Sequence, residues 1–231
     1  MAAPLIVFDL DGTLVDTAPD LIDTLNVILS REGLEPVAFD EARPMIGGGV
    51  RPLLERALRT RHADLPNTVV DRLFGDFLEH YAAHIADRSR PFPGAVDAID
   101  HLASSGFRLA ICTNKLEWLS KRLLDELHLG SKFAAVCGQD TFGVKKPDAE
   151  VLRHTIHAAQ GDSRRTVMVG DSETDIRLAR NAGVPVIAVD FGYTEAPVVS
   201  FGPDATIGHF AQLIPAIRNL PGFQAARQTV R

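Results

Sequence analysis

The stretch Leu5-Ile6-Val7-Phe8-Asp9-Leu10-Asp11-Gly12-Thr13 decides how the rest of the chain is read. Its first four residues are uninterruptedly apolar and two are β-branched. A half-exposed strand would alternate, so this run predicts a strand buried on both faces of a parallel sheet. Asp11-Gly12-Thr13 then breaks it with turn chemistry. Runs of the same kind recur at Arg108-Leu109-Ala110-Ile111-Cys112, at Ala134-Ala135-Val136-Cys137, at Thr166-Val167-Met168-Val169 and at Val186-Ile187-Ala188-Val189, each followed by a polar residue or glycine.

Helical spacing fills the gaps between these runs. Val96, Ile99 and Leu102 lead to Gly106, and Leu116, Leu119, Leu123, Leu124 and Leu127 lead to Gly130. Both glycines are placed at helix C-termini, where a left-handed residue is often needed. Further helices are expected over Ala149 to Ala159, with Pro147 in the first turn, and over Thr174 to Ala182, closed by Gly183. Strands alternating with helices indicate an α/β fold with a doubly wound, Rossmann-like parallel sheet.

The region 18–90 breaks this rhythm, with helical spacing and no strand. Leu21, Leu25, Ile28 and Leu29 form one apolar stripe; Val50, Leu53, Leu54, Ala57 and Leu58 form a second; Val70, Leu73, Phe77 and Tyr81 form a third. The expected organisation is a catalytic core of residues 1–17 and 91–231, with residues 18–90 as an inserted helical cap and Pro91-Phe92-Pro93-Gly94 as the return linker.

Composition sets outer limits. The chain has 231 residues, 45% hydrophobic and 23% charged, with a formal net charge of −6. That is ordinary globular chemistry, and the acidic balance argues against nucleic acid as a partner, because a phosphate backbone needs a clustered basic footprint. No apolar run approaches the roughly 20 residues that cross a bilayer, and the N-terminus has no secretory pattern. A membrane is therefore not an expected partner, and a cytoplasmic location is. Cys112 and Cys137 form no CxxC pair and read as buried small hydrophobes. Trp118, among apolar helical neighbours, is assigned to the core. His80 with His84, and His154 with His157, have zinc-compatible spacings but no evident third ligand, so they are taken as helix-face residues.

In open α/β sheets ligands bind beyond the carboxyl ends of the strands, which singles out Asp9, Asp11, Thr113, Asn114, Asp140, Gly170 and Asp171. In an extended chain Asp9 and Asp11 project to the same side and repel, and a bound cation or a shared proton relieves that. Gly170-Asp171-Ser172-Glu173-Thr174-Asp175 adds a second acidic cluster, whose plainer reading is a helix N-terminus complementing its dipole. Converging carboxylates suit Mg²⁺. Thr113, Asn114 and Lys146 supply hydroxyl, amide and ammonium donors for an anion. Together these are the groups that phosphoryl transfer through an aspartyl nucleophile requires.

This order of motifs, Asp9-Leu10-Asp11-Gly12-Thr13-Leu14-Val15-Asp16-Thr17, then Thr113-Asn114, Lys146-Pro147, and Gly170-Asp171 to Asp175, resembles the haloacid dehalogenase-like phosphohydrolases. Phe8 to Leu21, Ile46-Gly47-Gly48-Gly49-Val50, Thr113-Asn114-Lys115 and Gly170 to Tyr193 resemble its phosphoglycolate phosphatase branch, while Asp148 departs from the Pro or His that many relatives carry after Lys-Pro. The resemblance implies a Mg²⁺-dependent phosphatase of a small phosphorylated metabolite, most closely 2-phosphoglycolate, working as a monomer or homodimer. It implies Asp9 as nucleophile, Asp11 as general acid and base, and Thr113, Asn114 and Lys146 as phosphoryl-binding groups. The cation would be held by Asp9, the main-chain carbonyl of Asp11 and Asp171, with Asp175 on a water or behind the ligands. Gly48, in the glycine turn of the cap, and Arg51 and Lys115, as carboxylate-binding cations, are the implied substrate contacts.

Asp11 argues against carbon–halide chemistry, because dehalogenases of this superfamily lack the second aspartate. The absence of lysine from residues 18–90 argues against a phosphonate-cleaving relative with a Schiff-base lysine in the cap. A sugar-phosphate or nucleotide phosphatase, a phosphomutase and a phospho-acceptor receiver module remain alternatives; the receiver is a shorter chain with no helical cap.

Overall fold

The computed structural model describes residues 3–223. Strand β1 is Leu5–Phe8, the two-residue strands β2 (Val15–Asp16) and β3 (Arg90–Pro91) bracket the insertion, and β4 (Arg108–Cys112), β5 (Ala135–Cys137), β6 (Thr166–Gly170), β7 (Val186–Val189) and β8 (Ala205–Ile207) follow. The helices are α1 (Ala18–Arg31), α2 (Phe39–Ala42), α3 (Val50–Thr60), α4 (Asn67–Ala83), α5 (Ala95–Ser104), α6 (Glu117–Glu126), α7 (Ala149–Ala158), α8 (Glu173–Ala182) and α9 (Leu213–Asn219). Six strands form one sheet in the order β5-β4-β1-β6-β7-β8, every neighbouring pair parallel.

All four side chains of β1 are fully buried, as its unbroken apolar run predicts. Ile6 and Phe8 face one side, packed with residues of α5, α6 and α9; Leu5 and Val7 face the other, packed with residues of α7 and α8. The sheet is thus wound on both faces. From β1 the chain goes outward to β4 and β5, then returns to β6 on the other side of β1. That reversal gathers the carboxyl ends of β4, β1 and β6 in the crevice where such sheets bind ligands.

The three apolar stripes of residues 18–90 are buried throughout and continuous with the core beneath them. The return linker is more structured than a bare linker: β3 pairs antiparallel with β2, so the two chain crossings of the insertion are zipped together, Val15 opposite Pro91 and Asp16 opposite Arg90. Asp20, 3% exposed, accepts from the Arg88 and Ser89 amides and from Ser89 Oγ at 2.6 Å, stapling α1 to the departing chain.

Three local readings need correction. Gly130 opens a short 3₁₀ turn, and His128 takes the left-handed conformation after α6, at φ 59°. Pro147 lies before α7, whose N-cap is Asp148, accepting from the Glu150 amide at 2.9 Å. Trp118 is 46% exposed on the first turn of α6, so it is not core; Leu119, Leu123 and Leu124 carry that helix's burial. Cys112 and Cys137 are free, buried and opposite each other on β4 and β5, with burial pushing the Cys112 thiol up to about 12. His80 meets Thr24 Oγ1 and His84 meets Asp87, while His154 and His157 are exposed. Among the described residues, no helix is long and apolar enough to cross a membrane.

Candidate active site

Asp9 follows β1 directly and is held by its own turn, its Oδ1 accepting from the Leu10 amide at 2.7 Å. Asp171 follows β6, next to β1 in the sheet, and Asp175 lies in the first turn of α8. One carboxylate oxygen from each of these three buried residues falls within 4.8 Å of the others. Burial raises Asp9 to about 7, Asp175 and Asp171 adding repulsion against the pull of Lys146, and burial followed by Asp175 raises Asp171 to about 6. Three crowded, dehydrated hard-oxygen donors fit a small divalent cation.

Lys146 enters this cluster from the loop before α7. Its Nζ lies 2.8 Å from Asp9 Oδ1 and 2.8 Å from Asp175 Oδ1. Although burial opposes its charge, Asp175 and Asp9 together hold it well above the ordinary lysine range. The second Asp175 oxygen accepts from Ser172 Oγ at 2.6 Å and from the Ser172 amide, completing a capping box at α8. The acidic turn therefore does cap its helix while sending a carboxylate to the cluster.

Asp171 is fixed from two sides, Oδ1 by Thr13 Oγ1 at 2.8 Å and Oδ2 by the Tyr193 amide at 2.9 Å. Gly12, at φ +82°, makes the turn after β1; a Cβ there would stand 2.7 Å from Asp171 Oδ2, so both its conformation and its contact require glycine.

Asp9 and Asp11 are held by different partners, Asp9 by the Leu10 amide and Lys146. Both still line one cleft, with Asp11 held by Thr17 Oγ1 at 2.7 Å and by Lys115 Nζ at 3.0 Å. Thr113 and Asn114, beyond β4, line the same cleft. Asn114 Oδ1 accepts from the Lys146 amide at 3.1 Å, tying two phosphate-binding candidates together. Asp140 is elsewhere, accepting from the Glu117 amide at the start of α6.

The insertion closes the cleft from above with Leu21, Ile46, Gly47, Gly49, Val50 and Leu53. Gly49 lies over Asn114: a Cβ on it would come within 3.0 Å of the Asn114 carbonyl. Gly48 borders the wider outer mouth, near Pro52 and Arg56. Lys115 is inside and buried, its Nζ also donating to Tyr81 Oη at 2.8 Å from α4. Arg51 is not brought to the cleft; its guanidinium is 41% exposed, paired with Asp71 at 2.5 Å and set over the Phe74 ring. Its position on α3 points it along the insertion's outer surface, a direction that charge alone could not reveal.

Sequence reasoning passed over Asp20 and gave Tyr193 no role of its own. Asp20 was legible only as a carboxylate in the first turn of α1, and Tyr193 acts across 176 residues, a distance at which spacing carries no signal.

The family profile of the haloacid dehalogenase-like hydrolases matches residues 6–189. The chain is 50% identical over 215 residues to the phosphoglycolate phosphatase of Mesorhizobium japonicum, covering 92% of this chain and 94% of that protein. It is 47% identical over 215 residues to the phosphoglycolate phosphatase of Agrobacterium fabrum, with 93% and 92% covered. A solved structure, a predicted phosphoglycolate phosphatase from Haemophilus somnus, shares the fold with a TM-score of 0.86 at 25% identity, covering 92% and 97% of the two chains. On this match, and with the acidic cluster at the ends of β1 and β6, the chain belongs to the haloacid dehalogenase-like hydrolase family.

Proposed function

We propose that this protein is a Mg²⁺-dependent phosphatase that hydrolyses 2-phosphoglycolate to glycolate and phosphate, with residues 18–90 acting as a cap over a core of 1–17 and 91–231. The observation that carries the reading is the convergence of Asp9, Asp171 and Asp175 around one point with Lys146 against Asp9. Asp9, the main-chain carbonyl of Asp11 and Asp171 would hold the ion, with Asp175 behind them. Bound there, it supplies positive charge that lets an anionic phosphate approach an anionic nucleophile.

An Asp9 carboxylate oxygen attacks phosphorus in line; the bond from phosphorus to the ester oxygen breaks, and Asp11 delivers a proton to the departing alkoxide. Asp11 then takes a proton from water, whose oxygen attacks the aspartyl phosphate, releasing phosphate and restoring the Asp9 carboxylate. Thr113, Asn114 and Lys146 bind the phosphoryl oxygens and stabilise the charge that develops on them. The cap residues exclude competing water.

The substrate assignment draws support from the activity named for the Mesorhizobium and Agrobacterium relatives. It also draws on the cleft itself, where the buried Lys115 ammonium offers charge to a carboxylate beside the small Gly47–Gly49 turn and four apolar side chains. Phosphate release from 2-phosphoglycolate, sugar phosphates and nucleotides, each with Mg²⁺ or EDTA, tests it. Mg²⁺-dependent preference for 2-phosphoglycolate is expected. Equal rates across the panel would reject the substrate, and no release from any ester would reject the chemistry.

A further inference from the structure

Tyr193 joins the root of the insertion to the acidic cluster. Its main-chain amide donates to Asp171 Oδ2 at 2.9 Å. Gly192 lets this turn lie directly on the carboxylate, since a Cβ there would strike Asp171. At the other end of the side chain, the phenol oxygen accepts from the Thr17 amide at 2.7 Å and the Ala18 amide at 2.9 Å, and donates to Asp16 Oδ1 at 2.8 Å. That uses both lone pairs and the proton of the hydroxyl.

Those partners are the residues through which the chain enters the insertion: Asp16 ends β2, Thr17 is the N-cap of α1 and Ala18 its first residue. A threonine at an N-cap ordinarily satisfies the first free amides of its helix. Here Thr17 Oγ1 donates to Asp11 instead, and the start of α1 is satisfied by a tyrosine from the loop after β7. The insertion also grips the same turn from above. Arg43, in the 3₁₀ turn Arg43–Met45, donates from Nη2 to the Phe191 carbonyl at 2.9 Å, and its guanidinium carbon sits 5.1 Å from the centre of the Tyr193 ring. No step of the proposed chemistry uses Tyr193 or Arg43.

We propose that Tyr193 is a positioning residue that couples the placement of the insertion to the orientation of the Asp171 carboxylate, so that cation affinity depends on contacts made by the cap. This inference rests on the reading that Asp9, Asp171 and Asp175 hold the cation. Coupling of this kind is reciprocal: whatever the cap contributes to cation binding, the bound cation contributes to seating the cap.

The test is Mg²⁺ binding by isothermal titration calorimetry to the wild-type protein, Tyr193→Phe, Arg43→Ala and, as a cap control, Arg51→Ala, with folding of each checked by its thermal transition. Affinity for Mg²⁺ should fall about fivefold or more in Tyr193→Phe and Arg43→Ala. It should be unchanged in Arg51→Ala, whose side chain touches only the insertion. A role confined to supporting the fold would lower the transition temperature of Tyr193→Phe and leave Mg²⁺ affinity alone. If Tyr193→Phe does not fold, Arg43→Ala, altered at a half-buried cap residue, carries the measurement. Wild-type binding with equal affinity in both variants would overturn the coupling and leave the cation reading standing. No Mg²⁺ binding by the wild-type protein would overturn the cation reading and the coupling with it.

Discussion

Lys146 Nζ lies 2.8 Å from Asp9 Oδ1 and bridges it to Asp175 at the same distance, so one buried ammonium neutralises parts of two acidic elements that the sheet brings together. Lys146→Met leaves both carboxylates buried without that counter-charge. Breaking a buried pair in this way costs about 3–5 kcal/mol. Urea unfolding of the variant is expected to show a loss of that order, with phosphate release reduced at least 100-fold or so, as for other removed transition-state donors.

The raised carboxyls make a pH prediction for the cation-free protein. Asp9 and Asp171 titrate near 3.8 when unfolded but are raised to about 7 and about 6 when folded. The folded state then binds more protons than the unfolded state between these values, so the stabilising contribution is full below about 3.8 and is lost as pH rises through 6 and 7. Melting temperature in EDTA should carry a component that falls over this window. Added Mg²⁺ competes with the protons, so the rise in melting temperature it gives should be larger at pH 8 than at pH 5.

Gly170 ends β6 against Asp175, and a Cβ on it would collide with that carboxyl group. Gly170→Ala should therefore displace Asp175 from Lys146 and Ser172. The expected result is a turnover loss of about tenfold or more, of the kind that follows a small misplacement of catalytic groups. Steady-state kinetics with a thermal melt would separate this from global unfolding.

Lys115 lines the cleft beside Asp11. Lys115→Met should raise KM for 2-phosphoglycolate by about tenfold or more, the scale of one charge-assisted hydrogen bond. The effect on ethyl phosphate, which lacks the carboxylate, should be smaller. Equal changes in KM for the two esters would assign Lys115 to Asp11 alone.

Asp20 holds the chain where it leaves the insertion. Asp20→Ala strips a buried carboxylate that accepts from two backbone amides and a hydroxyl, and leaves those donors unpaired. The expected cost is about 2–4 kcal/mol, measured by urea unfolding.

Much of this was legible in sequence for physical reasons. Four strands of the sheet announce themselves because burial on both faces demands unbroken apolar runs; β5, a half-buried edge strand, is legible from its short apolar run, and β8 is not because Ala205-Thr206-Ile207 is a short edge strand in a polar setting. The three stripes of the insertion were readable because helix burial has its own period. Asp9, Thr113, Asn114 and Asp171 were readable because strand ends converge at a known edge of an α/β sheet, and their order matched a family. Direction was not readable: Trp118 and Arg51 have the right chemistry for core and cleft, and the rotation of α6 and α3 turns both outward. Nor were links between distant loops, such as Tyr193 with Thr17 or Lys115 with Tyr81, because no local pattern encodes them.

Everything in the proposed chemistry turns on Asp9 acting as the nucleophile. Phosphate release from 2-phosphoglycolate in Mg²⁺ by the wild-type protein and by Asp9→Asn, which keeps the size of the side chain, tests it most directly. Rapid release by the wild type, none above background by a folded Asp9→Asn protein, and loss of wild-type release in EDTA are expected. Turnover by Asp9→Asn at the wild-type rate would contradict that role for Asp9.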